Sequence, residues 1–335
     1  MQQNFWSKLK KPILALAPMA GITDSAFRQI CHEYGADVTY SEMSSVSALF
    51  FKPQKTLELV AFSRKREGFY VVQLFGKDPK HFAKAAQIIT KEIKPDGIDI
   101  NFGCPAKKVF GHGSGCALMP QKELAREIIS AVCENTDLPV SIKIRAGLRD
   151  TTAIHFIENI NDLPFSAVMV HGRTYEGSLH GEVNFEIVEK IKEIIPDKIV
   201  LANGGINTPE QAVEILKKHP AIDGLGIARG TWGRPWIFDE IKELLSVGTD
   251  LVSVQKNTSE KRTNTRFVPT KYDFKFIKKI AIQHAKLLYK SKGDLGMFEI
   301  RKHLAWYFKG FPNASALRQQ LVQAKSVAEI KNILK

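Results

Sequence analysis

Eight short apolar, β-branched runs recur through the first 230 residues. They are ILALA (13–17), VTYSEM (38–43), YVVQLF (70–75), GIDINFG (97–103), VSIKIR (140–145), AVMVHG (167–172), IVLANGG (199–205) and GLGIARG (224–230). Stretches with helical period, such as PKHFAKAAQIITKEI and PQKELAREIISAVCEN, separate most of them. Strands that alternate with helices read as parallel βα units. Eight such units in about 245 residues match the size of a (β/α)8 TIM barrel. The rival is an open, doubly wound sheet, but no G-x-G-x-x-G opens the first helix. The predicted fold class is therefore α/β, with a TIM barrel over residues 1–246.

A polar segment, 247–270, follows and reads as a linker. Beyond it Phe274, Ile277, Ile280, Ala281, His284, Leu287 and Leu288 share one helical face, with lysines largely off that stripe. MFEIRKHLAWYFKGF, NASALRQQLVQA and SVAEIKNILK read as further helices, the last capped by Ser326 with Glu329 three residues on. Residues 271–335 are thus predicted to form a small all-helical domain. Charge separates the two parts. Residues 250–335 hold 18 Lys and Arg against 6 Asp and Glu, whereas the rest holds 30 against 29. A near-neutral body with a basic tail points to a polyanion partner.

Other classes are disfavoured. No apolar run approaches the roughly 18 residues that span a bilayer, so no membrane role is expected. The N-terminus lacks the pattern of a signal peptide. The four cysteines (31, 104, 116 and 133) form no C-x-x-C pair, which argues against a zinc site and for a reducing, cytoplasmic setting. Cys31 and Cys133 lie in helical stretches and are expected in the core. Nothing implies a protein partner.

Barrel enzymes carry their chemistry at the C-terminal ends of the strands. There the sequence places APMAG, Gln73, NFGCP, KIR, HGRT, NGG and ARG. The last two precede helical stretches, with Thr208 or Asn207 as cap and Pro209 in the first turn. Exposed N–H groups at such turns suit a phosphate. Lys143, His171, Gln73 and Asn101 would then face a flavin. A cation stabilises the reduced ring, and amides bond its pyrimidine edge. The other reading of Lys143 is a Schiff-base lysine, which leaves Cys104 without a task. Cys116, in GSGCAL, reads as close packing.

LAPMAGITDSAFR, NFGCPAKKV, IKIRAG, VHGRT, ANGGI and RGTWGRPWIF together resemble the tRNA-dihydrouridine synthases. IRKHLAWYFKGFPNASALR resembles their bacterial B-type branch. The resemblance implies FMN, an NADPH or NADH reductant, and D-loop uridines of tRNA as substrate. It implies flavin contacts from Pro18, Met19, Ala20, Gln73, Lys143 and His171. Asn203, Gly204, Gly205, Ala228 and Arg229 are implied on the phosphate side, and Cys104 as proton donor. Ala228 stands where the family usually has Gly, Gly205 where it often has Asp, and Gly111-His112 where a Lys/Asn-like pair is common.

The chemistry is consistent with that assignment. The C5=C6 bond of uracil is conjugated to the C4 carbonyl, so hydride adds at C6 and an acid must protonate C5. A thiol, protonated at neutral pH, suits that step. Lys107 and Lys108 are then expected as RNA phosphate contacts. Asn101, Arg145 and Arg173 are expected at the substrate. The aromatic run Trp306–Tyr307–Phe308 offers stacking surfaces, though two of the three are expected in the core. Two alternatives stand beside this reading. One is a dihydroorotate-dehydrogenase-like FMN barrel acting on a free pyrimidine. The other is a non-catalytic RNA-binding relative.

Overall fold

The computed structural model describes residues 4–247, 270–311 and 313–335. Residues 248–269, nearly all of the expected linker, lie outside the described residues. All eight expected strands form: β1 (Ile13–Leu16), β2 (Val38–Tyr40), β3 (Phe69–Phe75), β4 (Gly97–Asn101), β5 (Val140–Leu148), β6 (Ala167–Thr174), β7 (Ile199–Asn203) and β8 (Gly224–Ile227). Each pairs in parallel with the next, and β8 returns to β1 with Gly224 opposite Ile13. The sheet is a closed eight-stranded barrel. Two-residue strands at Ser44–Ser45 and Thr151–Thr152 join its rim and were not read from the sequence.

Successive residues of a strand point to opposite faces. Leu14, Leu16, Val72, Ile98, Ile100, Ile142, Ile144, Val168 and Val170 alternate with the interior set and are fully buried. Burial on both faces is why these strands read as unbroken apolar runs. Ile13, Ala15, Val38, Val71, Ala167, Met169 and Leu201 form one interior cluster. Phe5 and Trp6, from the short N-terminal helix Phe5–Lys8, join that cluster. The Phe5 ring stacks on Phe69, the first residue of β3, at 5.0 Å. The N-terminal end of the barrel is therefore plugged by aromatic rings. Gly224 allows closure: a Cβ there would lie 2.0 Å from the Ile13 carbonyl oxygen.

The chain divides into two compact units, residues 1–229 and 230–335. The first holds the whole barrel sheet. The second begins before the helix Ile237–Ser246, which belongs to the eighth βα repeat, and adds Phe274–Lys292, Asp294–Tyr307, Ala314–Leu321 and Val327–Ile333. Within it Trp236 stacks on Tyr272 at 5.7 Å, and Lys271 pairs with Asp239 at 2.8 Å. The helix Phe274–Lys292 buries Ile277, Ile280, Ala281, His284 and Leu288, as its periodicity predicts, whereas Phe274, expected on the same face, is exposed at the first turn and Leu287 is half-buried. Lys275, Lys279, Lys286 and Lys290 are exposed. Tyr307 and Phe308 are fully buried, and Trp306 stacks on Trp232 at 4.5 Å. The aromatic run is therefore largely core. Ser326 caps the last helix by accepting the Glu329 N–H at 3.1 Å, while the Glu329 carboxylate turns to the Lys325 N–H. Among the described residues no helix is long and apolar enough to cross a membrane.

Candidate active site

The parity that builds the interior core also carries polar side chains up to the C-terminal mouth. Gln73 lies beside Asp99, Asn101 beside Lys143, and Arg145, His171 and Asn203 in one row. Each residue sits two positions above an interior neighbour on its own strand, so its side chain also points inward.

One carboxylate orients this mouth. Asp99 is fully buried and accepts from Ser141 Oγ at 2.6 Å and from Gln73 Nε2 at 2.7 Å. A carboxylate only accepts, so the Gln73 amide nitrogen must face it. Gln73 Oε1 then accepts from Asn101 Nδ2 at 3.0 Å. Asn101 Oδ1 accordingly turns to the loop and accepts the N–H groups of Gly103 at 3.0 Å and Cys104 at 2.8 Å. Burial pushes the Asp99 carboxyl up to about 6, against the hydrogen bonds that favour its charge. Asn101, expected at the substrate, thus grips the backbone of Cys104.

Lys143 Nζ donates to Asn203 Oδ1 at 3.1 Å. Asn203 Nδ2 donates to the Gly226 carbonyl at 2.7 Å, which fixes the orientation of that amide. Asn203, expected on the phosphate side, therefore aims Lys143. Burial, then the Arg145 charge, pushes the Lys143 ammonium down to about 8. His171 is pushed further, to about 2, by burial and by Lys143, Arg145, Arg173 and Arg229. Burial and these charges favour its neutral form. Its Nε2 lies 3.4 Å from an Arg173 nitrogen that can only donate, so the ring proton resides on Nδ1.

Gly204 and Gly205 have φ of +106° and +71°. A Cβ on Gly204 would strike the His171 ring at 2.5 Å, and one on Gly205 would strike Val183 at 2.9 Å. Both backbone space and backbone conformation therefore require glycine here. Arg173 lies alongside this turn and donates to the Gly181 carbonyl. Arg229 donates to the Leu179 carbonyl at 3.1 Å. Burial and then the charge of Arg229 lower the Arg173 pKa. Two guanidiniums that repel one another beside a glycine turn fit an anion. Arg173, expected at the substrate, stands with this group. Ala228 packs against the interior core cluster. Pro18, Met19 and Ala20 form the turn after β1. The Met19 N–H donates to Thr23 Oγ1 at 3.1 Å, and the Gly21 N–H donates to the Glu42 carboxylate.

Cys104 is half-buried, and its position is set by backbone. Its N–H is held by Asn101, and its carbonyl accepts the Cys116 N–H at 3.1 Å. Gly115, at φ +63°, lies against it, where a Cβ would be 2.8 Å from the Cys104 carbonyl oxygen. Cys116 is fully buried beside Met119, and burial pushes its thiol up to about 12. Of the other cysteines, Cys31 is buried as expected and Cys133 only half so. Lys107 and Lys108 are exposed on the short helix Lys107–Gly111. Its Phe110 stacks on Tyr175 at 4.4 Å, and the His112 ring meets the Lys108 carbonyl. Arg145 was expected to meet substrate. Instead it is 2% exposed and donates to the carbonyls of Gly103 at 3.0 Å, Thr174 at 2.8 Å and Ser178 at 2.9 Å. It ties the loop after β4 to the loop after β6.

Sequence reasoning missed Asp99 and Ser141. The signal was available, since Asp99 shares interior parity with Asn101 in an otherwise apolar strand. Replacing Asp99 with alanine strands two buried donors, which costs about 1–3 kcal/mol. The expected result is a lower melting temperature and slower turnover, because Gln73 and Asn101 lose their orientation. Asp99→Asn keeps an acceptor for Gln73 and a donor for Ser141 Oγ, and should restore most of both. Melting curves and steady-state rates of the two variants check this.

The barrel and its mouth define the class: an α/β-barrel enzyme whose interior rows of donors face a single open end. Comparison with known proteins makes the class particular. The chain belongs to the dihydrouridine synthase family, whose model, Dihydrouridine synthase (Dus), matches residues 15–335. The tRNA-dihydrouridine synthase B of Vibrio vulnificus is 34% identical over 91% of this chain and 89% of its own. That of Shewanella oneidensis is 35% identical over 88% and 85%. The probable tRNA-dihydrouridine synthase 1 of a Synechocystis species is 33% identical over 95% and 84%. Family membership makes the protein an oxidoreductase. Solved barrels share the fold at 10% identity. TcOYE with pHBA superposes with a TM-score of 0.52 over 69% of this chain and 88% of its own. A 2-naphthoyl-CoA reductase does so at 0.54 over 69% and 50%.

Proposed function

We propose that the protein is a tRNA-dihydrouridine synthase that reduces the C5=C6 bond of D-loop uridines, using FMN and NADPH or NADH. The observation that carries this reading is a half-buried thiol, Cys104, held by its backbone at a donor-lined barrel mouth in a chain of this family. The residues fit FMN. Lys143 and the Gln73 amide supply donors for the acceptor-rich edge of the ring, and His171 stays neutral beside them. The Pro18–Met19–Ala20 turn closes one side. Gly204 and Gly205, with Ala228, Arg173 and Arg229, supply N–H groups and charge for the phosphate.

Held there and reduced by NADPH or NADH, FMN would supply the hydride for C6 of the uracil. The chain supplies the rest. Negative charge develops on O4 and C5, and Cys104 Sγ gives its proton to C5. The thiolate then recovers a proton from solvent. Arg145, Asn101 and the Cys116 N–H hold the backbone that carries this thiol. Lys107 and Lys108 meet RNA phosphates just beyond it. A uridine must leave its stack to arrive here, at a cost of a few kcal/mol. The basic tail offsets that cost through phosphate contacts, and binding weakens as salt rises.

The decisive test uses purified protein and tRNA from cells lacking the modification. Yellow protein that adds two hydrogens to a D-loop uridine, read by mass mapping, is the expected outcome. Colourless protein, or a flavoprotein that reduces free orotate or uracil and leaves tRNA untouched, would refute the reading.

Lys143 also makes flavin binding proton-linked. From an ordinary value near 10.5, burial and the Arg145 charge depress the ammonium to about 8, and an acceptor edge brought against Nζ by the flavin raises it again. Binding above pH 8 should therefore take up protons, whereas binding near pH 6.5 should take up almost none. Titration calorimetry in buffers of different ionisation enthalpy measures the uptake, which should vanish in Lys143→Met.

A further inference from the structure

The short helix Val46–Phe51 follows β2, and the helix Pro79–Ile88 follows β3, both on the side of the barrel that bears Cys104. Between them three rings form one surface. The Phe50 ring lies 4.2 Å from the His81 ring and 5.0 Å from the Phe51 ring, and Phe51 meets His81 at 5.3 Å. Phe50 is 41% exposed and Phe51 70%, so these rings contribute little to the core. Single exposed apolar residues are ordinary, but a contiguous aromatic face marks a contact site.

Its mounting is rigid. Val46 packs so closely on Gly76 that a Cβ there would lie 2.2 Å from its Cγ2. Gly76 is three residues beyond Gln73 on the same strand exit. Ser47 Oγ holds His81 Nδ1 at 3.1 Å. Lys52, which follows Phe51 in the chain, and Lys80, which precedes His81, are exposed, as is Lys77, and Asp78 Oδ2 lies 3.8 Å from His81 Nε2. Lys77 also borders the loop after Cys104, where a Cβ on Gly113 would touch its Cδ at 3.5 Å. An exposed aromatic face whose neighbours in the chain include exposed lysines fits the general design for holding an unstacked base beside its phosphates.

We infer that the Phe50–Phe51–His81 face stacks an unpaired nucleobase of the tRNA when the target uridine is turned into the barrel. The inference rests on the function proposed above and names a contact for that substrate. It assigns the substrate a second anchor on the barrel itself, distinct from the basic tail. The test is the double variant Phe50→Ala/Phe51→Ala, with Phe51→Trp as reporter. In the double variant KM for tRNA should rise about 10- to 100-fold. Turnover at saturating tRNA and reductant oxidation without tRNA should stay unchanged. In the reporter, tRNA should quench the new tryptophan, and a duplex RNA without unpaired bases should not. Unchanged KM in an active enzyme would overturn the inference, as would absence of quenching. A concentration-dependent dimer lost in the double variant would overturn it too, by assigning the face to a second copy. If wild-type protein fails to reduce tRNA, the proposed function falls, and the quenching assay still decides whether this face takes a base.

Discussion

Replacing Cys104 with alanine should slow reduction of tRNA by about 10²–10⁴-fold while flavin and tRNA still bind. The effect follows from the role proposed for the thiol and from how little else depends on it. Cys104 is held through its N–H and its carbonyl, and alanine keeps both bonds. Its Cβ remains against Gly115. The loop should therefore survive, and the loss should fall on proton delivery to C5. Rapid quenching of reduced enzyme mixed with tRNA, read by the mass of the dihydrouridine formed, measures that step. A normal rate in the alanine variant would remove Cys104 from the mechanism. Cys104→Ser should also be slow, because a hydroxyl is a far weaker acid than a thiol. The contrast with Cys116→Ala is informative. That residue is fully buried and contributes its backbone N–H, so its removal should change packing more than chemistry.

Replacing Glu67 with alanine should destabilise the barrel by about 3–5 kcal/mol. Arg28 and Glu67 are both fully buried, with Nε donating to Oε2 at 2.6 Å. The remaining guanidinium nitrogens donate to the carbonyls of Thr23 at 2.6 Å and Ala61 at 2.9 Å, and the group lies 4.5 Å from the Tyr70 ring centroid. Glu67 Oε1 accepts from Ser25 Oγ at 2.5 Å and the Ser63 N–H at 2.7 Å. The pair thereby ties the turn after β1 to the long excursion between β2 and β3. Without the carboxylate, a guanidinium stays charged inside the protein. For a domain of this size the expected fall in melting temperature is about 6–20 °C. Arg28→Met/Glu67→Leu removes both charges and should recover much of the loss. If the double variant melts no higher than Glu67→Ala, the ion pair is not the cause.

Arg28 shows where sequence reading stops. It stands in LAPMAGITDSAFR, a stretch that identified the family, yet no local pattern reveals its partner 39 residues away. Arg145 is a second case. An arginine at a strand end beside the Cys104 loop reads as a substrate contact. Three backbone carbonyls claim it instead, one in the loop after β4, one at the last residue of β6 and one in the loop beyond it, and those segments meet only in the closed barrel. Asn101 and Asn203 shift in the same way, from ligand contacts to residues that aim Cys104 and Lys143. Each of these amides has two faces, and which face meets the ligand depends on neighbours on other strands.

The strands and their order around the barrel were legible in the sequence. They depend on local periodicity and on residue types at strand exits, which a linear chain displays directly. The tail helices were legible for the same reason. Two things were decided only by the tertiary structure. Asp99 orients two amides in turn because closure of the barrel sets it beside Gln73 and Ser141. Phe50, Phe51 and His81 become one surface because two separate connections pack together at the rim. Periodicity reports which side of a strand or helix a residue occupies. Hydrogen-bond partners and ring contacts depend on distances between segments remote in sequence, and those exist only once the chain has closed on itself.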